Sequence, residues 1–164
     1  NSPQSSAAGR LFDAASAIIL SLGETSFEGQ GPMWLEAIAR EPVVFPRLEL
    51  RSAEEGRLEL DWAPLVDWLL QVPRTTVADR ADRAGAVHAS LADGIVQVAA
   101  RLRDQSGTSV VGLTGGVFQN RRLVEAAMTG LTSRGFEVLL PVQLPCNDGG
   151  LSYGQVADFV GRND

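Results

Sequence analysis

Apolar residues recur at helical spacing near the start of the chain. Leu11, Phe12, Ala15, Ile18, Ile19 and Leu22 share one face, and Gly23 suits the end of that helix. A glycine-rich loop at 23–31 (GETSFEGQG) follows. Pro32 then opens a second helix with Met33, Leu35, Ile38 and Ala39 as its apolar positions, and Pro42 and Pro46 stop it. The period changes to two at 47–52 (RLELRS) and 56–60 (GRLEL), which predicts a hairpin turning through Ala53, Glu54, Glu55 and Gly56. Asp61 is a candidate N-cap for a helix carrying Trp62, Leu65, Val66, Leu69 and Leu70. Thr76 is another, for a long helix with Val77, Ala84, Val87, Leu91, Ile95, Val98 and Leu102 on one face, ending near Gly107.

The stretch 110–120 (VVGLTGGVFQN) is the most informative. An apolar run of Val110, Val111 and Leu113 meets the double glycine Gly115–Gly116, and an amphipathic pattern then runs from Val117 to about Arg134. Strand, glycine turn and helix together suit an anion: glycine lets the backbone approach closely, and a helix start offers N–H groups and a positive dipole end. Gly135 closes the helix, and Phe136–Leu140 reads as another short strand. Pro141 and Pro145 frame a loop, and Asn147, Asp148, Gly149 and Gly150 lead into a last helix carrying Leu151, Val156, Phe159 and Val160. The predicted order is α-α-β-β-α-α-β-α-β-α. It implies one α/β domain with a mixed sheet, a hairpin plus strands joined by helical crossovers, flanked by helices.

With 164 residues, 45% of them hydrophobic, the chain can bury a real core. Its net charge of −6 argues against a nucleic-acid binder. No apolar run approaches a membrane span, and no export signal is visible. All the basic residues are arginines, so lysine-based phosphate grips are excluded, and neither GxxxxGK[ST] nor GxGxxG occurs. One cysteine, Cys146, forms no intrachain disulfide and fits a reducing cytoplasm. Residues 1–9 (NSPQSSAAG) are small and polar with no initiating Met, and the chain is expected to be a piece of a larger, multidomain protein.

Few side chains suggest chemistry. Asp148, before two glycines at a helix start, is either an N-cap or an oxygen ligand for a divalent cation. Asp13 is either a solvated first-turn acid or an acceptor for a ribose diol. His88, the only histidine, has alanines at 84 and 92 where an acid partner would sit, so it reads as a packed or surface residue. Cys146 has no motif joining it to His88 and reads as a small loop hydrophobe; Trp34, Trp62 and Trp68 read as packing residues. Arg121 and Arg122 are a solvated pair or a contact for phosphate or an acidic partner.

Three separated segments, LFDAASAIILSLGETSFEGQGPMWLEAIA, LTGGVFQNRRLVEAAMTGLTSRGFEVLLP and CNDGGLSYGQ, resemble the C-terminal part of the HypF carbamoyltransferases of nickel–iron hydrogenase maturation. The resemblance implies the second of two ribonuclease-H-like lobes of the actin/sugar-kinase (ASKHA) fold, closing over a nucleotide. It implies an ATP-dependent, AMP-releasing enzyme that makes carbamoyl-adenylate and passes the carbamoyl group to the C-terminal cysteine of a HypE-type partner. It also implies a cytoplasmic setting, with zinc fingers and the adenylate-forming domain outside this chain. Carried over singly, Asp13 matches the aspartate on the nucleotide ribose. Gly115, Gly116 and Asn120 match the turn and amide on the phosphate side, and Gly29 and Gln30 match a nucleotide-facing loop. Asp148 matches the aspartate that completes a divalent-metal site with two histidines from the other lobe. Two positions depart from the pattern: Gln30 stands for a second glycine, and Trp34 stands where many relatives place an acidic residue, with Glu36 nearby on another helix face. The rival readings are a lobe of a small-molecule kinase of the same fold, and a non-catalytic module that binds nucleotide weakly or dimerises through an exposed inter-lobe face. The isolated piece is expected to be inactive and to hold metal weakly or not at all.

Overall fold

A computed structural model describes residues 5–53, 56–71 and 76–162. The organising element is a thirty-residue helix, α4 (Val77–Ser106), about 45 Å long at 1.5 Å per residue. Its N-terminus carries a reciprocal capping box: the Thr76 hydroxyl accepts from the Asp79 N–H, and the Asp79 carboxylate accepts from the Thr76 N–H. Gly107, left-handed at φ 74°, closes it. Between Arg83 and Ala92 α4 is buried almost all round, and small side chains make that possible. A Cβ on Gly85 would overlap the Arg40 carbonyl, and one on Gly94 would lie 2.8 Å from Leu60.

Around α4 pack α1 (Ala8–Leu20), α2 (Gln30–Ile38), α3 (Ala63–Gln71) and α5 (Arg121–Thr132). Phe12, Ala15 and Ile19 of α1, Leu35 of α2, Leu65 and Leu69 of α3, and Leu123, Ala127 and Leu131 of α5 meet Ala84, Val87 and Leu91 of α4 in one core. Arg83 is buried there and donates to the Leu69 carbonyl. The apolar stripes read from spacing thus hold for most helices. Val77 and Leu102, at the two ends of α4, are exposed, as are Leu70, Trp34 and Trp62; of the tryptophans only Trp68 packs against the core. A stripe extended to a helix's last turns outruns the neighbours available to cover it.

The strands form two separate two-stranded sheets, not one mixed sheet. β1 (Glu49–Ser52) and β2 (Leu58–Asp61) pair antiparallel, Glu49 opposite Asp61 and Ser52 opposite Leu58. Of the predicted hairpin turn, Glu54 and Glu55 lie outside the described residues. β3 (Val110–Gly112) and β4 (Glu137–Leu139) pair parallel, Val110 opposite Glu137, with α5 as the crossover. Alternation marks each strand, but which strands share a sheet depends on contacts between distant parts of the chain.

Three boundaries also moved. α1 ends at Leu20 with Ser21 left-handed (φ 59°), ahead of Gly23. α2 begins at Gln30, two residues before Pro32. Val117 does not open a long helix: Gly116–Gln119 is a 3-10 turn, and α5 starts at Arg121. The last helix, α6 (Leu151–Gly161), lies exposed along its length, with Leu151, Tyr153 and Val156 all more than half exposed.

Candidate functional site

In parallel α/β units, ligands bind beyond the carboxyl ends of the strands. Both loops of interest leave those ends of β3 and β4. The Leu113 N–H donates to the Leu139 carbonyl (3.0 Å), one residue past the ladder, and the strands then part. They are tied again further out: the Cys146 carbonyl accepts from the Gly115 N–H (2.6 Å) and from the Thr114 hydroxyl (3.3 Å). Against the outer staple and the last helix lies a hollow of about 560 Å³, lined by Thr114, Gly115, Cys146, Asn147, Asp148 and Gln155 among others.

Each glycine of this region has its own reason. Gly115 sits at φ 109°, ψ 157°, a backbone region that residues with a Cβ essentially avoid. Gly116 opens the 3-10 turn and faces Asn147, whose Cβ would be 4.0 Å from an added methyl. Gly150 lies so close to the Pro145 carbonyl oxygen that a Cβ would sit 2.8 Å away. The Asn147 carboxamide accepts from the Gly149 N–H (3.0 Å), which fixes the turn bearing Asp148.

Asp13 and Gly29 share a second hollow, about 440 Å³, with Arg10, Ser16, Glu24 and Glu28 on its walls. Asp13 pairs with Arg10 (3.0 Å), and Arg10 also reaches Glu28 (3.0 Å). Gly29 is left-handed (φ 82°) and starts α2. The Gln30 carboxamide oxygen accepts from the Ser26 N–H (2.6 Å), so that side chain is turned back into its own loop. The helix that carries Asp13, α1, also packs against the 3-10 turn that Gly116 opens.

Of the seven candidate residues, Gly115 and Asp148 line the first hollow and Asp13 and Gly29 the second, while Gly116 faces Asn147 of the first hollow's wall. Gln30 folds inward, and Asn120 is buried beneath the turn. Asn120 caps α5: its Oδ1 accepts from the Leu123 N–H (2.9 Å), and its Nδ2 lies 2.9 Å from His88 Nε2. Glu36 of α2 occupies the same helix start, accepting from the Arg121 N–H (2.8 Å). The first-turn N–H groups of Arg121 and Leu123, which the sequence offered to an anion, are thus bonded within the protein.

Spacing could not have found His88 and Glu36. Their partners stand 32 and 85 residues away, and neither side chain carries a local motif. Burial pushes the His88 imidazole below its ordinary range, and it sits in the core as a neutral ring. Arg121 pairs with Glu125 (2.6 Å) at the surface. Asp148 is a single carboxylate, and among the described residues no group of three or more His, Cys, Asp or Glu side chains could hold a metal ion. A divalent cation takes about six oxygen ligands, so the residues present do not make a metal site by themselves.

The family model described as "Carbamoyltransferase, Kae1-like Domain, second subdomain" matches residues 1–155. The chain is 39% identical over 155 residues to carbamoyltransferase HypF of Rhizobium leguminosarum bv. viciae, covering 94% of this chain and 20% of that protein. It is 38% identical to carbamoyltransferase HypF of Rhodobacter capsulatus, with 94% of the chain and 20% of the relative covered. Among solved structures, full-length HypF in the phosphate- and nucleotide-bound form superposes with a TM-score of 0.75 at 32% identity, covering 90% of this chain and 19% of that one. HypF of T. kodakarensis gives a TM-score of 0.76 at 23% identity, over 95% of this chain and 20% of that one, a likeness of fold. The chain thus spans about a fifth of the length of these relatives.

Proposed function

The chain belongs to the HypF carbamoyltransferases, as the second subdomain of their Kae1-like domain, and from that premise we propose that it forms the adenylate-gripping half of a carbamoyl-transfer site. The observation that carries the proposal is the stapled pair of loops at the carboxyl ends of β3 and β4, with Gly115 and Asp148 lining one hollow and Gly116 facing Asn147 of its wall. The first amides of a 3-10 turn have no carbonyl within the turn to bond, and an anion lying against Gly116 would take them up. Asp13, in the second hollow, suits a ribose diol once it leaves Arg10. The related full-length HypF structure in its phosphate- and nucleotide-bound form supports this ligand class.

The chemistry asked of this chain is positioning. The sulfur of a partner's C-terminal cysteine, from a HypE-type protein, attacks the carbamoyl carbon after losing its proton to solvent. The bond from that carbon to the adenylate phosphate oxygen breaks, and AMP leaves with the electron pair. Holding the acyl phosphate still and keeping its charge bound supply the rate gain. Nothing on this chain needs to act as nucleophile: Cys146 contributes its backbone carbonyl to the loop staple, and His88 is buried under the turn. Asp148 would supply one oxygen ligand to a divalent metal, whose other ligands would have to come from outside the chain. The exposed apolar run Leu151, Tyr153 and Val156 on α6 fits a surface that meets the rest of a larger protein.

In the full-length protein, Asp148→Ala should abolish carbamoyl transfer to the partner thiol while leaving carbamoyl-adenylate formation intact. Loss of both steps, or of neither, overturns the assignment.

A further inference from the structure

His88 sits beneath the glycine turn with every hydrogen bond fixed in direction. Its Nδ1 is 2.7 Å from the Ala84 carbonyl oxygen. A carbonyl only accepts, so Nδ1 carries the proton. A neutral imidazole has a single N–H, so Nε2 is a bare acceptor, and the Asn120 amide 2.9 Å away is its donor. That orientation turns Asn120 Oδ1 to the Leu123 N–H, 2.9 Å away, where it caps α5. The Phe12 ring packs on the imidazole at 5.0 Å between centroids, on the residue next to Asp13. The ring is 3% exposed. The charged groups facing it are Glu36 on α2 and Arg122 on α5. On α1, Arg10 and Asp13 pair with each other on the exposed side.

We infer that His88 is a positioning residue for the nucleotide site: its neutral ring, acting through Asn120, holds the start of α5 and the glycine turn running into it, and a proton on Nε2 releases both. The effect on ligand rests on the function proposed above; the effect on the turn does not. A protonated Nε2 would point its hydrogen at the Asn120 NH2 group, donor against donor. To accept that hydrogen the amide must rotate its oxygen toward the ring, which abandons the Leu123 N–H. No orientation of Asn120 satisfies both neighbours once the ring is charged. Glu36 holds the Arg121 N–H from the other side, so the helix start yields at the Asn120 cap while the rest of α5 stays packed.

The test uses the full-length protein with three side chains at position 88. His88→Gln offers an amide oxygen near the place of Nε2 and does not titrate. His88→Leu fills the space and offers no acceptor. AMP affinity is measured by calorimetry from pH 7.5 down to the lowest pH at which the protein stays folded, since the buried ring charges below its ordinary range. Over the same range, hydrogen-exchange protection of the Leu123 amide is measured without nucleotide. With histidine, affinity and protection should both fall several-fold as the pH drops. With glutamine both should change little beyond the phosphate's own titration, which all three proteins share. With leucine both should be lowered about tenfold at every pH, the equivalent of one buried hydrogen bond, with circular dichroism unchanged. Equal Leu123 protection in the histidine and leucine proteins overturns the inference, as does the same pH profile with histidine and glutamine. Absence of AMP binding at any pH, with the exchange pattern as stated, overturns the nucleotide reading and leaves the hold on the turn standing.

Discussion

The two glycines of the turn look alike in sequence and differ in what they are for, so Gly115→Ala and Gly116→Ala should separate stability from binding. Gly115 is held at φ 109°, ψ 157°, and forcing alanine there costs about 1–3 kcal/mol of strain. The lower entropy of the unfolded alanine chain offsets about 0.4–1 kcal/mol of that. The net loss is about 1–2 kcal/mol, and the Gly115-to-Cys146 staple weakens with it. Gly116 carries no such conformation, and a methyl there meets only the Asn147 Cβ at 4.0 Å. Its stability should stay within about 0.5 kcal/mol of the parent. On the proposed function, however, a methyl at Gly116 would stand in the way of a phosphate approaching the backbone. Urea unfolding of the chain, followed by circular dichroism, reads the first quantity. AMP titration of the full-length protein reads the second. Gly115→Ala should unfold earlier, by about 2–8 °C on heating for a domain this size. Gly116→Ala should keep its unfolding midpoint and lose AMP affinity. Equal unfolding midpoints, or a Gly116→Ala protein that binds AMP as the parent does, would refute the division of labour.

Four further outcomes follow from the packing and the charges. Gly85→Ala should destabilise by about 1–3 kcal/mol in chemical unfolding, because its methyl overlaps the Arg40 carbonyl and the backbone must move, against a helix-propensity gain of only about 1 kcal/mol. Leu131→Ala, at a fully buried site on α5, should cost about 2–5 kcal/mol by the same measurement. Glu36→Gln keeps an acceptor for the Arg121 N–H but removes the charge at a helix start, and should cost about 0.3–1 kcal/mol, a difference that high salt reduces. Because burial lowers the His88 pKa, the unfolded chain binds more protons than the folded one between the folded pKa and about 6.5. Stability is then full above that window and falls as the pH drops through it; urea midpoints at pH 7.5 and 5.5 should show the loss, and His88→Gln should flatten it.

Periodicity made most of the architecture legible because α4, α1 and α5 bury the stripes their apolar residues describe: Phe12, Ala15 and Ile19, or Leu123, Ala127 and Leu131, are spacing turned directly into core. It also located Thr76, whose cap is local chemistry over three residues. The pattern failed where the deciding interaction was distant. Val117 and Phe118 continue an apolar rhythm, yet the chain there is a 3-10 turn, because Asn120 caps a helix whose start is also fixed by Glu36, from another element. The separation of β1–β2 from β3–β4 is likewise invisible to alternation, which gives each strand and says nothing of its neighbours. Of the candidate site, the glycines and Asp148 were readable as a turn and a loop that chemistry could use. What was not readable was that the Cys146 backbone would join them, since a carbonyl has no side-chain signature.

One consequence concerns how the two hollows keep their distance. Asp13 stands on α1 and the glycine turn leads into α5, and α1 and α5 each pack against the same α4. A side-chain route between them runs from Phe12 to the His88 ring, and from that ring to Asn120. Every member of that route is at most 9% exposed, so water does not compete for its contacts and side-chain freedom is already lost in the folded state. A ligand spanning ribose and phosphate would then meet two grips set by one buried core rather than by the exposed loops that carry them. On this view Phe12→Ala, which leaves Asp13 itself untouched, should weaken AMP binding by more than Arg10→Ala does, although Arg10 is the residue that touches Asp13. Calorimetry on both variants, at a temperature where each remains folded, decides between a preorganised pair of grips and a site assembled only by its surface charges.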